Sequence, residues 1–98
     1  MKKDEFIIFH GTRKKNVESI VENGIDKDSW FGALYHAIRV ATNKYGGKNM
    51  VILKFVVTDK DVDIFYGRKE NVWRNNWKLY PVAKMDIYED KLIRGEYV

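Results

Sequence analysis

An α+β fold with a mixed or antiparallel sheet is what this sequence predicts, and three observations carry that expectation. Two segments with helical spacing, each closed by glycine, lie in the first half of the chain. A run rich in β-branched residues, Met50 to Val57, follows them, as a buried strand requires. The last stretch places apolar runs on either side of Glu89-Asp90-Lys91, the pattern of a hairpin. Helices early and strands late segregate the two kinds of element.

Taken in order, Phe6-Ile7-Ile8-Phe9 is a short continuous apolar run, expected as a strand buried on both faces. Thr12 is placed to cap a helix from Lys14 to Asn23, in which Val17, Ile20 and Val21 fall on one face and Gly24 supplies the stop. Ile25 to Ser29 is a connector, and Gly32 to Tyr35 is expected as a short strand. Ala37, Ala41 and Tyr45 share helical spacing in a segment ended by Gly46-Gly47. Val62 to Phe65 is a further strand candidate. Trp73, Trp77 and Tyr80 sit at i, i+4 and i+7, which predicts a helical turn closing before Pro81. Val82 to Tyr88 and Leu92 to Val98 complete the hairpin.

Composition sets the bounds. The chain has 98 residues, 45% of them hydrophobic and 33% charged, which suits one globular domain and argues against disorder. It has no cysteine, which excludes disulfides and thiolate metal sites. The longest apolar runs are about strand length, so neither a signal peptide nor a membrane span is expected, and a soluble, cytoplasmic setting is. Net charge is +4 from 18 basic and 14 acidic residues, spread through the sequence rather than striped. On charge alone acidic partners are only weakly favoured.

The residues that point to chemistry are His10-Gly11-Thr12, at the end of the first apolar run, then Phe31-Gly32-Ala33-Leu34-Tyr35-His36-Ala37, and Tyr45. A histidine passed straight to a glycine, with aromatics arriving from two later segments, suggests a pocket for a flat, polar, aromatic ligand.

In this order these pieces, with the helix ending at Gly24 and the strand Val51 to Val57, resemble the ADP-ribosyltransferase domain related to poly-ADP-ribose polymerases. The resemblance spans residues from about 5 to 58. It implies an ADP-ribosyltransferase-like split sheet with two short early helices around an NAD cleft. By likeness His10 would hold a ribose hydroxyl of NAD and the Gly11 backbone would pair with the carboxamide. Tyr35 and Tyr45 would flank the nicotinamide ring, an aromatic sandwich that favours a flat cation. Thr12, Arg13, Gly32 and His36 fall within the matching segments; the Arg13-Lys14-Lys15 run reads first as a solvated helix start, with neutralising the NAD pyrophosphate as its functional alternative. The reaction implied is glycosidic: nicotinamide departs, an oxocarbenium-like ribosyl centre develops, and a nucleophile on a protein or nucleic-acid acceptor attacks it, protein being the favoured partner. No metal is called for.

Such a reaction uses a carboxylate to stabilise the cationic centre and polarise the acceptor. Two residues compete for that place. Glu96, in Gly95-Glu96-Tyr97, imitates the local pattern but sits near the end of the sequence, where a central strand is hard to complete. Asp86 falls in the other register, on one face with Lys84, and the two also suit an exposed surface pair. The Gly32-Ala33 pair and His36 depart from the family pattern. Three functions follow as expectations: mono-ADP-ribosyl transfer from NAD; a catalytically silent module that binds NAD, ADP-ribose or a similar nucleotide; and RNA 2′-phosphate transfer to NAD, which would want converging arginines and an RNA-guiding domain.

Overall fold

The computed structural model describes residues 4–46, 48–67, 69–88 and 91–97. Its elements run β1 (Phe6–Arg13), α1 (Lys14–Asn23), β2 (Trp30–Gly32), α2 (Leu34–Tyr45), β3 (Met50–Val57), β4 (Val62–Tyr66), β5 (Asn71–Asn75), β6 (Ala83–Tyr88) and β7 (Lys91–Tyr97). The strands form one seven-stranded sheet in the order β4-β5-β2-β1-β3-β6-β7, and each pairing is antiparallel. The class is therefore α+β with an antiparallel sheet. The turn expected at Glu89-Asp90 lies outside the described residues.

Alternation along β3 explains why its sequence is apolar at every position but Lys54. Val51, Leu53, Phe55 and Val57 join Ile8, Phe31 and Leu79 in one buried cluster, which Val17, Ile20 and Val21 of α1 close. Met50 and Ile52 point the other way and meet Ala37, Ile38 and Ala41 of α2, with Ile87 from β6. The sheet is thus sandwiched between its two helices, and strands covered on both faces lose the polar half of their alternation. Lys54 and Val56 are only partly buried because they lie beyond the end of the α2 cluster.

β1 pairs with β3 along its whole length, from Phe6↔Val57 to Arg13↔Met50. Ile7 departs from the expectation of burial on both faces: it is 36% exposed, and α2 packs on β1 further along, at Phe9 and Gly11. Thr12 does not cap α1. The strand continues through it to Arg13, which occupies the cap position without a side-chain bond, and the buried Thr12 hydroxyl accepts instead from Asn16 Nδ2 at 3.4 Å.

Two further expectations are corrected. The short strand lies at Trp30–Gly32, and Leu34 already begins α2, so Tyr35 belongs to that helix. Trp73 lies on strand β5 rather than in a helical turn, tilted against Phe6 at 5.9 Å between centroids. Spacing of i, i+4 is also even, so it serves the two-residue period of a strand as well as a helix face.

Gly11 is where α2 comes closest to the sheet. A Cβ there would lie 2.5 Å from the Ala41 Cβ and 2.9 Å from the Ala37 carbonyl oxygen. A backbone atom cannot swing aside, so a methyl group overpacks the interface. Gly11→Ala is expected to lower unfolding free energy by about 1–3 kcal/mol in urea titrations. Combined with Ala41→Gly it should cost less than the two single changes added, because the clashing partner has gone.

Candidate functional site

The pairing of β2 with β1 is short. A single register pair, Phe9↔Gly32, joins them among the described residues, whereas β1 continues against β3 to Arg13. Beyond Phe9 the two strands part, and the His10 side chain enters the gap. Its Nδ1 lies 2.6 Å from the Trp30 carbonyl oxygen. A carbonyl can only accept, so Nδ1 carries the proton, and a neutral ring then keeps Nε2 as an acceptor. Burial pushes the His10 pKa below its ordinary value; the Trp30 hydrogen bond opposes that shift and the nearby Lys44 charge adds to it. The ring packs against Phe31 with centroids 5.5 Å apart.

On the α2 side of this gap lies a cleft of about 320 Å³. Its walls are the β1 segment Phe9-His10-Gly11, the β2 segment Ser29 to Gly32, and the α2 residues His36, Val40, Lys44 and Tyr45. Gly32 admits the His36 ring, which a Cβ at that position would overlap. The volume stands at the low end of the roughly 300–1,000 Å³ typical of small-molecule sites. It suits one end of a dinucleotide rather than the whole.

His10 also borders a second hollow of about 310 Å³ on the α1 side, shared with Asn16, Asp26, Ser29 and Lys78. The wall between β2 and α1 is held by Asn75, which is fully buried. Its Oδ1 accepts from the Ser29 amide at 2.8 Å, and its Nδ2 donates to the carbonyls of Asp26 and Trp77, both at 2.9 Å.

Of the residues named from sequence, the fold brings His10, Gly11, Gly32, His36 and Tyr45 to the cleft. Tyr35 is not there. It stands 83% exposed on the first turn of α2 and borders a different hollow with Ile38, Arg39, Thr42 and Asn43, so the expected Tyr35–Tyr45 sandwich does not form. Thr12 is buried beside α1, away from the cleft lining. Arg13 lies outside it too, with its guanidinium carbon 5.0 Å from the Tyr45 ring centroid. Lys44 Nζ is 5.4 Å from the same ring.

Asp86 and Glu96 line neither His10 hollow. Both border a groove between α1 and the β3-β6-β7 side of the sheet, with Lys14, Glu18, Glu22 and Lys84. Glu96 stands directly across from Lys84 and pairs with it at 3.1 Å. The surface pair anticipated for Lys84 thus has Glu96, not Asp86, as its carboxylate. Separation follows from strand order: β6 and β7 lie beyond β3, on the far side of β1 from β2.

The sequence did not single out the carboxylates the fold brings to the His10 hollow and to His36. Asp26 shares the α1-side hollow. Glu70 reaches the cleft through His36, whose Nδ1 donates to its Oε1 at 3.0 Å, while the Arg39 guanidinium donates to the same oxygen. The His36 bond, joined by Arg39, holds the Glu70 carboxyl below its usual pKa. These residues are distant in sequence, and no local motif announces their meeting.

Because His10 is less basic folded than unfolded, the unfolded chain binds more protons from pH 6.5 downward, and stability falls on acidification through that window. His10→Gln should flatten this part of the stability–pH curve measured by urea denaturation, leaving the carboxylate-driven loss at lower pH in place. No family model, curated protein or solved structure matches this chain.

Proposed function

We propose that the His10 cleft binds one end of a nucleotide of the NAD or ADP-ribose class. The observation that carries this is the His10 ring in the gap between β1 and β2, tied to Trp30 and neutral, with its Nε2 an acceptor in a partly apolar cleft. Such an acceptor suits a ribose hydroxyl, and the Trp30-Phe31 side of the cleft offers aromatic surface to a base. At the opposite wall Lys44 lies against Tyr45, and Arg13, outside the lining, lies against the same ring. Two cations there favour a phosphate over the positively charged nicotinamide ring. This reading follows the sequence resemblance with the ring contacts revised, and on one continuous seven-stranded sheet rather than a split one.

Binding is favoured over transfer because Asp86 and Glu96 border another groove. Mono-ADP-ribosyl transfer to a protein or nucleic-acid acceptor is the second reading, supported by Asp26, which shares the α1-side hollow with His10, and by Glu70, which is bonded to His36 of the cleft lining. In that case His10 would orient the ribose and one of these carboxylates would stabilise the cationic centre as nicotinamide leaves.

Calorimetry with NAD and with ADP-ribose tests the first reading. Dissociation constants on the order of micromolar are expected, weakened at least tenfold (about 1.4 kcal/mol) by His10→Ala; absence of nucleotide binding by the native chain sinks it. Incubation with NAD labelled in the adenylate half tests the second. Transfer of label that Asp26→Asn or Glu70→Gln cuts by orders of magnitude, with Asp86→Ala and Glu96→Ala near native, would identify the acid. Binding without label transfer leaves the silent nucleotide-binding module.

A further inference from the structure

The basic residues that look scattered in sequence are gathered by the fold. Arg13 ends β1, Lys14 and Lys15 open α1, Lys44 belongs to the last turn of α2, and Lys48 precedes β3. Antiparallel pairing of Arg13 with Met50 brings the start of α1 beside the start of β3. The Lys14 amide donates to the Asn49 carbonyl at 2.8 Å, which fixes that juxtaposition through backbone. Arg13, Lys14, Lys15, Lys48, Asn49 and Tyr45 line a hollow of about 490 Å³, with no carboxylate in its lining. Lys44 adjoins it across the Tyr45 ring.

Three features set this hollow apart from an ordinary solvated charge run. Among the described residues none of these five cations is ion-paired, although four ion pairs form elsewhere. Together they exceed the chain's entire net charge of +4, so the remainder is close to balanced, with Lys14 shared between this hollow and the groove that holds Glu18 and Glu22. The sole aromatic ring in the lining lies among the cations and also forms part of the His10 cleft wall. A basic concavity with an aromatic platform is what backbone-tracking recognition of single strands uses. A membrane-binding face would want apolar anchors beside its cations, and this lining has none beyond Tyr45.

We propose that this hollow docks the phosphate backbone of a single-stranded nucleic acid, making such a strand the macromolecular partner of the adjoining cleft. The partner role, though not the docking, rests on the nucleotide reading of that cleft. Protein was the favoured acceptor on sequence alone; the gathering of charge reverses the preference. The strand would lie with consecutive phosphates against Arg13, Lys14, Lys15 and Lys48, and its end or an unstacked base beside Tyr45 would reach the mouth of the His10 cleft.

Fluorescence anisotropy with short labelled oligothymidylate and oligouridylate tests this on the full chain. Affinity should fall with salt at a log–log slope of about −3, the value for four to five single-strand phosphate contacts. The paired charge reversal Lys14→Glu/Lys48→Glu should weaken binding at least tenfold and flatten the slope, with the thermal midpoint and NAD affinity close to native. Lys60→Glu, on the exposed β3–β4 turn, should change little. The salt slope of the unaltered chain needs no variant, so misfolding of the charge-reversed chain would not remove the test. No oligonucleotide binding at low salt, a slope near zero, or equal losses from Lys60→Glu would overturn the proposal. So would equal competition by polyglutamate of matched charge or by anionic phospholipid vesicles, which would assign the hollow to acidic proteins or membranes. Oligonucleotide binding without NAD binding would retain the docking surface and reject the nucleotide cleft; NAD binding without oligonucleotide binding would do the reverse.

Discussion

The seating of α2 on β1 at Gly11 is the contact on which the rest of the site depends. Because that position lacks a side chain, Ala37 and Ala41 lie directly on the strand, and the helix runs close beside the gap left by β2. His36 at one end of this contact and Lys44 and Tyr45 at the other are thereby carried to the cleft. The same glycine has two demands on it: close approach of a helix, which the structure contains, and close approach of a ligand, which the resemblance implies. Only the first accounts for the absence of a Cβ without a ligand, since the space a methyl group would fill is already taken by α2.

Electrostatics divide the surface into zones that the sequence mixes. The His10 cleft has a neutral imidazole and a cationic wall, the α1 groove alternates lysine with carboxylate, and the hollow near Lys48 is basic alone. Charges arranged in this way select ligands by position rather than by overall charge. An anionic ligand entering near Tyr45 meets attraction before it meets His10. Asp86 and Glu96, across the sheet from that route, contribute little to it through intervening protein and screened solvent.

Local patterns were legible wherever one element satisfied its own periodicity. Lys14–Asn23 was bounded correctly because Val17, Ile20 and Val21 mark a face and Gly24 takes a positive φ of 82°. Met50–Val57 was equally clear, its apolar character, interrupted only by Lys54, reflecting helices on both faces. Tyr35 differs because its place hinges on where β2 gives way to α2, and α2 begins at Leu34. The Trp73 segment misled because aromatic spacing fits two periods. Clustering of Arg13, Lys44 and Lys48 was invisible, since it arises from strand register, which no local window contains.

The buried Asn75 carboxamide has a consequence for how the site moves. It bonds three backbone groups, two of them in the segment leading into Trp30, while β2 itself meets β1 at a single register pair. The outer wall of the cleft is therefore fastened to β5, by the ladder from Trp30↔Arg74 to Gly32↔Val72 and by the Asn75 side chain, whereas the inner wall is fastened by the long β1–β3 ladder. Breathing of the outer wall need not disturb that ladder, so the barrier to ligand entry is a local opening free energy, separable from global unfolding. Amide exchange at Ser29, whose N–H is held by Asn75, reports that opening directly. A cleft walled this way admits ligand by motion of the β2–β5 edge rather than of the β1–β3 centre.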